Sequence, residues 1–166
     1  SFAIGVAAGV FSMHLPAVKQ PIVDLVGVCD IREDPGRERA AALGVPFYTD
    51  YRQMVDALKP DVAVVITPHY NHAEIAIDCL RAGCNVLVEK PMALEVAEAD
   101  AMIAAAQQSG KLLAINFQHR QRPEVRAARR LIREGRLGKL QRINMITPWP
   151  RSAAYYSQAS WRATWP

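Results

Sequence analysis

Residues 61–94 read DVAVVITPHYNHAEIAIDCLRAGCNVLVEKPMAL. An apolar run at 61–67 stops at Pro68, a helical pattern runs from Asn71 to Ala82, and Gly83 ends it. A second apolar run at 84–88 leads into Glu89-Lys90-Pro91. Two short apolar strands joined by a helix of about ten residues make a β-α-β unit. Strands that are apolar on both sides are buried on both faces, as in a parallel sheet covered by helices.

The same rhythm extends in both directions. Upstream, strands are expected at 2–6, 23–29 (VDLVGVC) and 46–48. Helices are expected at 10–19, at 35–43 ending at Gly44, and at 50–58 capped by Asp50. Downstream come a helix at 95–109 stopped by Gly110, a strand at 112–117 and a helix at 123–135 opened by Pro123. Six β-α units with right-handed crossovers predict a doubly wound parallel sheet, the Rossmann fold. Beyond Gly138 the pattern changes. Residues 139–147 (KLQRINMIT) predict a strand, but no helix follows, and all three tryptophans fall within 148–166. The expected division is a dinucleotide-type domain at 1–120, a linking helix at 121–138 and, at 139–166, the truncated start of a second α+β domain.

Composition agrees with a folded protein: 166 residues, 51% hydrophobic and 22% charged. The uncharged stretch 1–18 is interrupted by Gly5, Gly9, His14 and Pro16, and falls short of the roughly 20 apolar residues of a membrane span. No basic residue precedes it, as a signal peptide would require. Cys29, Cys79 and Cys84 are odd in number and lack metal-ligand spacing, so they read as reduced core thiols of a cytoplasmic protein, with no metal site. Residues 1–118 carry 9 Lys/Arg against 14 Asp/Glu, a net of −5. Residues 119–142 carry 9 against 2, a net of +7. Arg126, Arg129, Arg130 and Arg133 lie opposite Val125, Ala128, Leu131 and Ile132, the pattern of an amphipathic helix with a solvated basic face. Neither a nucleic acid nor a membrane is an expected partner.

Sheets of this type bind ligands outside the carboxyl ends of their strands. Gly5, Ala7, Ala8 and Gly9 follow the first strand as an imperfect glycine-rich turn, read either as a phosphate-approach turn or as a plain tight turn. Asp30 ends the second strand, where a carboxylate accepts from both hydroxyls of an adenosine ribose and disfavours a 2′-phosphate. The alternative is a pair with Arg32, which also keeps NADP open beside NAD. Thr67, Pro68 and His69 end the fourth strand, and His69 reads equally as a helix-capping residue. His72 follows. Glu89 and Lys90 end the fifth strand. The Lys90 ammonium either donates to a substrate oxygen beside a nicotinamide or pairs with Glu89. Arg120 follows the sixth strand. Tyr155, Tyr156 and Trp161 either line a sugar pocket or pack at a domain junction.

TPHYNHAEIAIDCLRAGCNVLVEKPMAL (67–94), with HLPAV (14–18), VCDI (28–31), FQHRQRP (117–123) and LIREGRLGKL (131–140), resembles the Gfo/Idh/MocA oxidoreductases. The resemblance implies an N-terminal NAD(P)-binding Rossmann domain. It makes Lys90 the lysine of an EKP motif that polarises the reacting oxygen, and His72 the histidine of a TP…H motif at the cofactor edge. Lys90 and His72 are thus the expected catalytic residues. The cofactor set is Gly5, Ala7, Ala8, Gly9, Asp30, Arg32, Thr67, Pro68, His69, Glu89 and Lys90. Arg120, Tyr155, Tyr156 and Trp161 are the expected substrate side. The implied activity is hydride transfer from a sugar or cyclitol hydroxyl carbon to nicotinamide. The family's proton-transfer histidine belongs to the second domain, so residues 1–166 alone are expected to bind cofactor without turnover. The second reading is an NAD(P)-binding regulatory or sensor module. A homo-oligomer, or contact through the aromatic C-terminal segment, is the expected assembly.

Overall fold

A computed structural model describes the backbone of residues 2–5 and 11–157. It divides the chain into two compact units, residues 1–116 and 117–166. The first holds β1 (Phe2–Gly5), α1 (Phe11–Val18), β2 (Leu25–Cys29), α2 (Glu33–Leu43), β3 (Phe47–Tyr48), α3 (Tyr51–Leu58), β4 (Val62–Val65), α4 (His72–Arg81), β5 (Asn85–Glu89), α5 (Val96–Ser109) and β6 (Leu113–Asn116). The sheet order is β3-β2-β1-β4-β5-β6, and every ladder is parallel. That is the doubly wound order, with its switch point between β1 and β4.

The continuous apolar runs are explained by burial on both faces. Ala63 and Val65 of β4 join a cluster with Ala76, Leu80, Val86, Val88, Met102 and Ala105, under α4 and α5. Val64 and Ile66 join Val28 and Ala40 on the other face, where Leu15 of α1 and Leu43 of α2 pack. Val28, Leu80, Val88 and Met102 are fully excluded from solvent. Each such aliphatic side chain contributes about 1.5–3 kcal/mol. Gly27 of β2 allows α3 to sit close: a Cβ there would lie 2.5 Å from Leu58 Cδ1.

Helix boundaries follow local chemistry. The Asp50 carboxylate accepts from the Arg52 amide at 2.8 Å and starts α3. Glu95 and Glu98 form a reciprocal capping box at the start of α5. Gly44 and Gly110 close α2 and α5 in the left-handed region, at φ 69° and 66°. Asn71 stands at the start of α4 without capping it through its side chain. A 3₁₀ turn over His69–Asn71 leads into α4 instead.

In the second unit, a 3₁₀ turn at Gln118–Gln121 precedes α6 (Pro123–Arg133), and α7 spans Ala153–Ser157. The strand expected at 139–147 is not formed. A strand needs a neighbour for its amides and carbonyls, and no described segment pairs with this one.

Candidate cofactor and active site

Because all ladders run parallel, the carboxyl ends of β1, β2, β4, β5 and β6 share one edge. Gly5, Asp30, Thr67, Glu89, Lys90 and Asn116 therefore gather there. Gly5 is the last residue of β1, paired in register with Cys29 and Val65. Ala7, Ala8 and Gly9 lie outside the described residues, as does Trp161.

Asp30 is buried, and Arg32 occupies its carboxylate. The Arg32 amide donates to Oδ1 at 3.0 Å, Nε to Oδ1 at 3.3 Å and Nη2 to Oδ2 at 2.9 Å. Arg39 Nη1 approaches Oδ2 at 3.8 Å. The alternative left open by the sequence, a pair with Arg32, is thus formed in this structure, and Asp30 meets two guanidiniums.

At the end of β4, the Thr67 hydroxyl is buried and has no hydrogen-bond partner among the described residues. Pro68 leads into the His69–Asn71 turn. The rings of His69 and His72 meet edge to face, with centroids 5.6 Å apart. Burial first, then the charges of His72 and Lys90, push the His69 imidazole below its ordinary value.

His72 is fully buried. Its Nδ1 lies 2.8 Å from the Pro91 carbonyl oxygen and its Nε2 3.0 Å from that of Thr67. Carbonyls only accept, so the ring donates on both sides when it carries both protons and on one side when it carries one. The ring is thus enclosed, with a backbone carbonyl at each nitrogen.

Glu89 is also buried, as the last residue of β5 and the register partner of Asn116. Asn116 Nδ2 donates to Oε1 at 2.6 Å, His14 Nε2 of α1 lies 2.9 Å from the same oxygen, and the Lys90 amide donates to Oε2 at 3.2 Å. The expected alternative, an ion pair from Lys90 to Glu89, is not formed among the described residues. Lys90 is exposed, with its peptide to Pro91 cis. His14 and Asn116 are the members of this cluster that sequence reasoning did not single out. His14 did stand in the HLPAV stretch, but nothing there points to a residue 75 positions away.

The remaining expected residues belong to the 117–166 unit. The Arg120 guanidinium stacks on the Phe117 ring at 5.2 Å. Tyr155 and Tyr156 meet edge to face at 5.3 Å, and Arg151 covers both Trp149 and Tyr155. The three cysteines are buried and unpaired. Burial pushes the thiols of Cys29 and Cys79 up to about 12.

The chain matches the model of the Gfo/Idh/MocA oxidoreductase family, NAD-binding Rossmann fold, over residues 3–117. It belongs to that family. D-glucoside 3-dehydrogenase of Escherichia coli is 35% identical over 119 residues, which is 71% of this chain and 34% of that enzyme. Among solved structures, the WlbA dehydrogenase of Chromobacterium violaceum, in complex with NADH and UDP-GlcNAcA, is similar with a TM-score of 0.94 and 28% identity. The match covers 99% of this chain and 48% of that one. A 3-ketoreductase from Actinomadura kijaniata, in complex with NADP and TDP-benzene, is similar at 28% identity with a TM-score of 0.72, over 81% of this chain and 42% of that one. The chain thus spans between a third and a half of the length of these proteins. No helix among the described residues is long and apolar enough to cross a membrane.

Proposed function

We propose that this chain is the dinucleotide-holding part of an NAD(P)-dependent dehydrogenase acting on a hydroxyl of a sugar, sugar derivative or cyclitol. The observation that carries the reading is the exposed Lys90 at the carboxyl edge of a β3-β2-β1-β4-β5-β6 sheet. The buried Thr67 hydroxyl, without a hydrogen-bond partner among the described residues, is consistent with a ligand oxygen at the same edge. Gly5, Ala7, Ala8 and Gly9 would hold the pyrophosphate. Asp30 and Arg32 would meet the adenosine ribose, and Thr67, Pro68 and His69 the nicotinamide half.

The nicotinamide supplies hydride acceptance at its C4 when bound. The work of this chain is placement and charge. The Lys90 ammonium donates a hydrogen bond to the substrate oxygen and stabilises the negative charge that develops there. His69, kept below its ordinary value, offers Lys90 an uncharged neighbour at neutral pH. The relatives are dehydrogenases, so a regulatory module without turnover is the less favoured reading. Glucosides and nucleotide sugars in those proteins support a polyol substrate. The buried, unpaired thiols support a cytoplasmic location. The exposed Ile143, Met145, Ile146 and Trp149 support self-association through the C-terminal segment. We also propose that residues 139–166 begin a substrate domain, with 121–138 as the linking helix.

The test is NADH titration, followed by NADH production from myo-inositol, methyl glucosides and UDP-sugars by the full-length protein. Binding with turnover of one of these classes is expected. Absence of NADH and NADPH binding would refute the assignment.

A further inference from the structure

We propose that His72 and Glu89 are positioning residues that hold the backbone of Lys90 from its two sides. The proposal rests on the reading of Lys90 as the residue that meets the substrate oxygen. It replaces the expectations that His72 is catalytic and that Glu89 touches the cofactor.

The ladder of β5 ends at Glu89, paired with Asn116. Lys90 and Pro91 lie beyond it and are exposed, and proline contributes no amide. Two buried side chains take the place of the missing ladder. The Glu89 carboxylate accepts the Lys90 amide at 3.2 Å, and the His72 ring meets the Pro91 carbonyl at 2.8 Å. Each support is itself anchored. Glu89 is held by Asn116 of β6 and His14 of α1, and His72 by the Thr67 carbonyl after β4. The two supporting side chains are themselves shielded from water, His72 at 0% and Glu89 at 7% exposed. A lysine has four rotatable side-chain bonds, so the reach of its ammonium is defined only if its root is fixed. Both supports meet the backbone on either side of Lys90, so each acts through Lys90.

The experiment is ¹³C NMR of the full-length protein after reductive ¹³C-methylation. The Lys90 signal is assigned by its loss in Lys90→Arg. In the parent, this signal is expected to stand apart from those of other exposed lysines and to move on addition of NADH. In His72→Phe and Glu89→Gln it is expected to fall to the common lysine position and lose its response. The other lysine signals should stay in place, and the NADH affinity should change by less than about threefold. Turnover should drop by about 10²-fold in kcat with little change in KM, the size of loss that follows a misplaced catalytic group. A general loss of packing would instead move all signals together. If either variant does not fold, His72→Gln and Asn116→Ala remove one contact each and are read the same way. A parent signal that ignores saturating NADH would overturn the reading of Lys90 and the proposal with it. A parent signal that responds, with variants that respond equally, would overturn the positioning proposal alone.

Discussion

The Arg32 guanidinium lies across the Asp30 carboxylate, with Nη2 2.9 Å from Oδ2 and Nε 3.3 Å from Oδ1. The Asp30 side chain is 3% exposed and that of Arg32 47%, so the arginine is the solvent-facing partner of the pair. A ribose diol that reaches Asp30 displaces a half-exposed guanidinium. On the proposed placement of the ribose, the Asp30 carboxylate disfavours a 2′-phosphate and the Arg32 guanidinium favours one, so the two would pull cofactor choice in opposite directions.

NAD(H) is expected to bind more tightly than NADP(H), by less than about tenfold, since a charge-assisted hydrogen bond returns part of the repulsion. Arg32→Ala should widen the gap and Asp30→Ser should narrow or reverse it. Calorimetric titration of both cofactors checks this. Equal affinities in the parent would remove Asp30 from the ribose site.

His69 sets a pH dependence. Its folded value lies below its unfolded value, so between the two the unfolded chain binds more protons. Its contribution to stability is complete above about pH 6.5 and is lost as the pH falls from there through the folded value. His69→Gln should flatten the corresponding part of the curve of denaturation midpoint against pH. An unchanged slope would mean that His69 titrates alike in both states.

The thiols act at the other end of the scale. Cys29 and Cys79 stay protonated in the folded chain up to about pH 12, because burial comes first and nearby carboxylates or Cys84 add to it. The unfolded chain loses those protons near the ordinary thiol value, about 8.5. Stability should therefore decline as pH rises above that value. A thiol reagent should label the native chain slowly and the denatured chain at once. Fast labelling of the native chain at about pH 8, close to the ordinary thiol value, would contradict this burial.

The 117–166 unit leaves Met145 and Ile146 each 88% exposed and Trp149 63% exposed. Light scattering should show association that grows with concentration, and Ile143→Ser with Ile146→Ser should weaken it. A monomer at all concentrations would exclude this surface as a contact between copies.

Much of the sheet was legible in the sequence because β4 and β5 are buried on both faces, which leaves a run of apolar residues without alternation. Residues 139–147 are more mixed, with Leu140, Ile143, Met145 and Ile146 among polar side chains, and no described strand lies beside them to complete a pairing. Site residues at strand ends were legible because parallel order places them at one edge. The links among them were not. His14 meets Glu89 across 75 positions, and Asn116 meets it across 27. His72 shows only a motif position in sequence, whereas its enclosure depends on how the chain returns at Pro91. The Asp30–Arg32 pair was visible as an alternative, and the structure forms it.

The most direct test compares the parent and Lys90→Ala in the full-length protein, with NADH affinity and steady-state turnover measured on the same preparations. The account predicts NADH binding within about threefold of the parent and a kcat lower by about 10²-fold or more, the scale of one lost group that stabilises charge in the transition state. A Lys90→Ala protein that turns over at the parent rate would contradict it.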